Sequence, residues 1–124
     1  MIKKLVCIRG AVCSENTASD ITKNVESLCN QIFTKNKIKS KNLISVSFSI
    51  TKDITKLNPA SALRKCNCVI DVSKTALFCT QEAEIENMLP NVIRVMVCAY
   101  KIGSKKSNVY LNGAEKLRPD YSEN

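Results

Sequence analysis

Hydrophobic and polar positions recur along this chain with two different periods, and the changes of period mark its elements. Ile21, Val25, Leu28 and Ile32, joined by Cys29, return at helical spacing as one apolar stripe. Thr17 with Asp20 three residues on has the form of a capping box, with aspartate in place of the usual glutamate or glutamine. Stripe and cap predict a helix over about 18–35. Ile44–Ile50 (ISVSFSI) alternates with period two: Ile44, Val46, Phe48 and Ile50 share one strand face and serines take the other. The apolar face is expected to meet the helix. The serine face is either solvated or packed against another subunit. Leu5–Ile8 (LVCI) is a short apolar strand with Val6 and Ile8 on one face and Cys7 and Arg9 on the other. It runs into Arg9-Gly10-Ala11, where the glycine permits a sharp exit or a close backbone approach.

Thr75–Cys79 (TALFC) and Val92–Ala99 (VIRVMVCA) are continuous apolar runs, the pattern of strands buried on both faces. Val69–Val72 reads as a further short strand and Asn108–Leu111 as the last one. Thr51–Leu57 is a polar loop, Pro59 opens a short helix over Ala60–Lys65, and 84–87 is an acidic loop. This order predicts an α+β fold: a mixed sheet with one long helix and a short helix. With 124 residues the chain is expected to form a single domain. The polar stretch from about residue 116 reads as a mobile tail. One long helix covers one sheet face, so the other face calls for self-association.

Two charged residues interrupt the apolar pattern. Arg94 stands inside Val92–Ala99, and Glu82 follows the Thr75–Cys79 run. An arginine in such a run needs an anion, because an unpaired interior charge costs several kcal/mol or more. Either Arg94 pairs with Glu82 to join two strands, or it faces an anionic ligand. Taken singly, Arg64 on the short helix reads as an exposed cation and Tyr110 as a half-buried strand aromatic.

Composition narrows the chemistry. The chain has no histidine, which excludes histidine-dependent acid–base and His-ligated metal chemistry. Its seven cysteines form no zinc spacing and read as free thiols, with Cys7, Cys29, Cys79 and Cys98 on apolar faces. The formal charge of +8 lies largely in Lys35–Lys41 and Lys101–Lys106, which look like solvated turns. Such an excess steers anionic ligands. A nucleic-acid role has little else behind it: six aromatic residues are present and none sits in a basic run. No apolar run approaches the ~20 residues of a membrane span, and the N-terminus does not form a signal peptide. A cytoplasmic protein is expected.

The remaining motifs fall in a familiar series: RGA (9–11), ENT (15–17), PA…R (59–64), C-x-x-E (79–82), LP…IRV (89–95), VYL (109–111) and LRPD (117–120). In this order they resemble the monofunctional trimeric chorismate mutases, the α+β class distinct from the all-helical one. The resemblance runs from about Ile8 to Asp120. It implies a homotrimer forming a pseudo-α/β barrel, with active sites between subunits and chorismate, a dianion, rearranged to prephenate. It implies no cofactor or metal and no nucleic-acid or membrane partner. By the same resemblance Arg9 and Tyr110 meet substrate carboxylate, and Arg94 faces the ether oxygen. Glu82 and the backbone of Cys79 take the substrate hydroxyl. Arg64 and Arg118 are cations at the cleft edge, with Asn58, Thr75 and Leu117 also lining it. Asn58 stands where the family usually carries phenylalanine, Ser61 where a charged residue is common, and Asn112-Gly113 loosens the end of the last strand. Two alternatives follow: a ligand-binding relative that has lost catalysis, and a basic nucleic-acid-binding module.

Overall fold

Helix α1, Ala18–Lys35, begins where the cap predicts: the Thr17 hydroxyl accepts a bond from Asp20 N at 3.1 Å. The reciprocal half of the box is displaced. The Asp20 carboxylate reaches past Thr17 to accept from Glu15 N at 2.8 Å and from Asn24 Nδ2 at 3.0 Å. All five residues of the apolar stripe are buried, with Phe33 added. A helix of this length is marginal alone, and each fully buried Ile, Leu or Val contributes about 1.5–3 kcal/mol, so packing on the sheet holds it.

The computed structural model describes residues 2–103 and 105–120. The other elements are β1 (Lys3–Cys13), β2 (Leu43–Ile50), α2 (Pro59–Lys65), β3 (Ala76–Gln81), β4 (Val92–Ile102) and β5 (Val109–Leu111), with 3-10 turns at Ser40–Asn42 and Ala114–Leu117. The strands form one mixed sheet in the order β3-β2-β4-β1-β5, so the fold is α+β as expected. β4 lies antiparallel between β1 and β2, while β3 joins β2 and β5 joins β1 in parallel. The inner face carries Val6, Ile8, Val12, Val46, Phe48, Ile93, Val95 and Val97, which form the core with α1 and α2.

Several expectations are corrected by this pairing. β1 is eleven residues long rather than four, because β4 pairs with it from Lys3↔Ile102 to Cys13↔Val92. Gly10 therefore sits inside the strand, and a Cβ there would meet Val109 O at 2.7 Å and Ile32 Cδ1 at 2.9 Å. Of the two possible uses of this glycine, it serves close approach. A bulge between Leu43 and Ser45 breaks the alternation of β2, so Leu43 turns inward and Ile44 is exposed. Val69–Val72 makes no strand. Within one chain the outer faces of β3 and β4 are left open: β3 is an edge strand, and Met96, Cys98 and Tyr100 of β4 lie on that outer face. Cys7 and Cys98 also lie on that face rather than in the core, directly opposite each other with their sulfurs 3.3 Å apart.

Asn112 and Gly113, expected to loosen the strand end, make a tight left-handed turn (φ 53° and 96°), and Asn112 Nδ2 donates to Asn24 Oδ1 at 2.8 Å. The stretch read as a tail begins in the Ala114–Leu117 turn, where Leu117 packs beside Tyr110, Ala11 and Val92. Its last residues, 121–124, lie outside the described residues. No helix of the described residues is long and apolar enough to cross a membrane.

Candidate active site

The outer face of the sheet gathers residues from all five strands at one end. Arg94 on β4 is in register with Ala11 of β1 on one side and Ser49 of β2 on the other. Ala11 is in turn opposite Tyr110 of β5, and Ser49 is opposite Thr80 of β3. Arg9 lies two residues before Ala11 on the same face. Arg9, Arg94, Tyr110, Ser47, Ser49 and Thr80 line a shallow cleft of about 270 Å³.

Glu82 arrives just past the end of β3, where its N–H donates to Ile50 O at 2.7 Å and extends the strand pairing by one step. Its Oε1 lies 3.0 Å from Arg94 Nε and accepts from Ser49 Oγ at 2.8 Å. The ion pair is close but poorly aligned. Arg94 Nε is shielded from solvent and completes no hydrogen bond, although the guanidinium side chain as a whole is 41% exposed. The guanidinium is thus held against the Glu82 carboxylate through Nε, while the partly exposed side chain lines the cleft. Arg9 has no carboxylate partner among the described residues; its backbone N–H is held by Asn108 Oδ1 at 2.9 Å. Tyr110 is 9% exposed, its ring wedged among Ala11, Val92 and Ala114.

The other candidate residues lie apart from this group within one chain. Asn58 caps α2, its Oδ1 accepting from Ala60 N at 2.8 Å. Arg64 is exposed on α2. Thr75 precedes Ala76, whose partner is Ser45, so it lies about 17 Å along β3 from Thr80. The Cys79 side chain points inward with its partner Phe48, leaving only backbone groups for the outer face, and burial pushes its thiol up from the ordinary range. Arg118 follows the last turn and forks onto Asp120, with Nε to Oδ1 at 3.1 Å and one terminal nitrogen to Oδ2 at 2.8 Å.

Burial likewise raises the Cys66 thiol to about 11 and the Cys29 thiol well above its usual value, which keeps both as protonated packing groups. Among the described residues no group of His, Cys, Asp and Glu is arranged to hold a metal ion. Ser47, Ser49 and Thr80 are cleft residues that sequence reading missed. The serine alternation of β2 was the available signal, but only the strand order shows that Ser49 faces Arg94.

A cationic cleft on the open face of a small α+β sheet, with a carboxylate held against one arginine, defines a class of site for a compact anion. The family model for chorismate mutase type I matches residues 5–121. The chain is 32% identical over 117 residues to the chorismate mutase AroH of Thermus thermophilus, spanning 91% of this chain and 93% of that protein. It is 30% identical over 118 residues to the chorismate mutase AroH of Bacillus subtilis, spanning 93% and 91% respectively. A solved chorismate mutase from Clostridium thermocellum superposes with a TM-score of 0.83 at 34% identity, covering 90% of this chain and 99% of that one. The chain belongs to the type I chorismate mutase family, in its AroH class.

Ser49 gives a first test of this site. Its hydroxyl fixes the Glu82 oxygen that also faces Arg94, and a hydrogen bond to a charged group is worth about 1.5–3 kcal/mol. Ser49→Ala is expected to lower kcat by about tenfold. Ser49→Thr, which keeps the hydroxyl in a strand that suits a β-branched residue, should retain most of it. Steady-state kinetics beside a melting curve check this: equal kcat for Ser49→Ala and wild type would remove Ser49 from the positioning of Glu82.

Proposed function

We propose that this chorismate mutase rearranges chorismate to prephenate, on the route to phenylalanine and tyrosine, by conformer selection and electrostatic stabilisation. The observation that carries the reading is Arg94: a guanidinium held 3.0 Å from Glu82 on an otherwise apolar strand, lining one cleft with Arg9 and Tyr110. The rearrangement is unimolecular. A C–O ether bond breaks as a C–C bond forms, and no proton, nucleophile or electron is exchanged with the protein. What remains for the protein is to hold the compact substrate conformer and to meet charge as it develops. Negative charge grows on the ether oxygen as the bond stretches, and Arg94 supplies a fixed countercharge there. Arg9 and Tyr110 take a substrate carboxylate, and Glu82 takes the hydroxyl.

The active unit in this proposal is a homotrimer, forming a pseudo-barrel with its sites between subunits. The outer sheet face supports it: Leu5, Phe78, Met96, Tyr100 and Ile102 are each between 44% and 64% exposed there, an apolar face of the kind that marks an interaction surface. The cleft of one chain is also shallow. Asn58, Arg64 and Thr75 would complete it from the neighbouring subunit, the Cys79 backbone would join Glu82 at the substrate hydroxyl, and Leu117 and Arg118 would close the side next to Tyr110. Asn58 in place of an aromatic residue thins the apolar wall and weakens substrate binding more than it alters the reaction.

Purified protein without added metal should convert chorismate to prephenate, and light scattering at micromolar concentration should give close to three times the 13.8 kDa chain mass. Binding of a prephenate-like dianion with no turnover above the uncatalysed rate would favour a relative that has lost catalysis. A monomer with full activity would contradict shared sites.

A further inference from the structure

A cleft larger than the one at Arg9 and Arg94 opens elsewhere on the chain. At the opposite end of the sheet an opening of about 670 Å³ is lined by seven lysines and by no carboxylate. Lys3 starts β1, six residues and about 20 Å along the strand from Arg9. Lys35 ends α1 and Lys37 follows it, Lys39 and Lys41 lead into β2, and Lys101 and Lys105 come from the end of β4 and beyond. None of the seven makes an ion pair among the described residues. The two basic runs that read as separate solvated turns therefore share one cleft.

Their juxtaposition is built in. Asn36, 3% exposed, donates through Nδ2 to Ile32 O at 2.8 Å and to Ser107 O at 2.9 Å, and accepts from Ser107 N at 2.7 Å. A buried side chain thus stitches the end of α1 to the segment after β4. The carbonyl end of α1 offers roughly half a negative charge, far too little to neutralise seven ammonium groups. Lys3 and Lys101 meet only neutral acceptors, Asn42 Oδ1 and the Lys105 carbonyl, and ammonium groups gathered around one opening with no carboxylate favour an anion seated among them.

We propose that this cleft binds a compact polyphosphate anion, at a site separate from the one that takes chorismate. Its volume lies in the range of small-molecule pockets. Lysine meets phosphate as a point charge without demanding one geometry, which suits a flexible chain of phosphates. No aromatic residue lines the cleft, so nothing there can stack a base, and a nucleic acid fits less well than the phosphate chain alone.

Isothermal titration of the full chain with sodium tripolyphosphate at about 0.15 M ionic strength tests the proposal. Saturable binding at this cleft is expected, with affinity falling as sodium chloride is raised. The triple variant Lys39→Gln/Lys41→Gln/Lys105→Gln should bind about tenfold more weakly, since three exposed charge contacts together amount to that. Arg94→Met should bind as wild type does. The substituted lysines are exposed, and a melting curve confirms that the variant is folded. Three results would overturn the proposal: no saturable binding, affinity that follows Arg94 rather than the lysines, or tight binding of duplex DNA with none of tripolyphosphate.

Discussion

Arg94→Met should lower kcat by at least about 100-fold while the protein stays folded and binds substrate through Arg9 and Tyr110. Loss of one preorganised donor to a developing oxyanion costs about 100- to 1,000-fold in other enzymes, which sets the scale. The competing reading makes Arg94 a tie between strands through Glu82. The exposure of the pair decides how much such a tie is worth: with side chains 41% and 29% exposed, it stands in partial solvent, where ion pairs contribute about 0–1 kcal/mol. A purely structural Arg94 would therefore leave kcat nearly unchanged and shift melting slightly. Arg94→Lys should not restore activity, because an ammonium on a flexible stem lacks the fixed fork of donors. Single-turnover kinetics beside calorimetry separate the readings. A folded Arg94→Met protein keeping more than about a tenth of wild-type kcat would falsify the catalytic assignment.

Gly10→Ala should act on folding and, through it, on the site. The new methyl would lie 2.7 Å from the Val109 carbonyl oxygen and 2.9 Å from Ile32 Cδ1. Ile32 has some freedom to rotate, but Val109 is backbone, and β5 must shift to make room. Overpacking of this kind costs about 1–3 kcal/mol, or about 5–15 °C in melting midpoint for a chain of this size. β5 carries Tyr110 next to Val109, so the shift also displaces the group proposed to hold a substrate carboxylate, and KM should rise more than kcat falls. A midpoint within about 2 °C of wild type, with unchanged KM, would show that β1 and β5 have more room than their geometry implies.

The local elements were largely legible in the sequence. α1 follows its apolar stripe and its Thr17 cap, α2 follows Pro59, and β2 follows its alternation, because each depends on residues within one turn or one strand. The misreadings have one origin. Apolar runs such as Thr75–Cys79 do not show what covers their second face, and within one chain β3 is an edge strand with that face open. Val69–Val72 is apolar enough for a strand but has no partner strand to bond with. Ile44 fits the alternation, and a bulge turns it outward.

By itself the sequence determined the α+β class, the absence of histidine chemistry, and the presence of Glu82 and Arg94 as charges out of place, since periodicity and composition are properties of the chain alone. Its ordered motifs also carried the family resemblance. Only the tertiary structure decided that Ser49 holds Glu82, that Gly10 is a close-approach residue, and that two distant lysine runs form one cleft. Each of these depends on strand order and register, which are set by contacts between residues far apart in sequence and leave no local periodic trace.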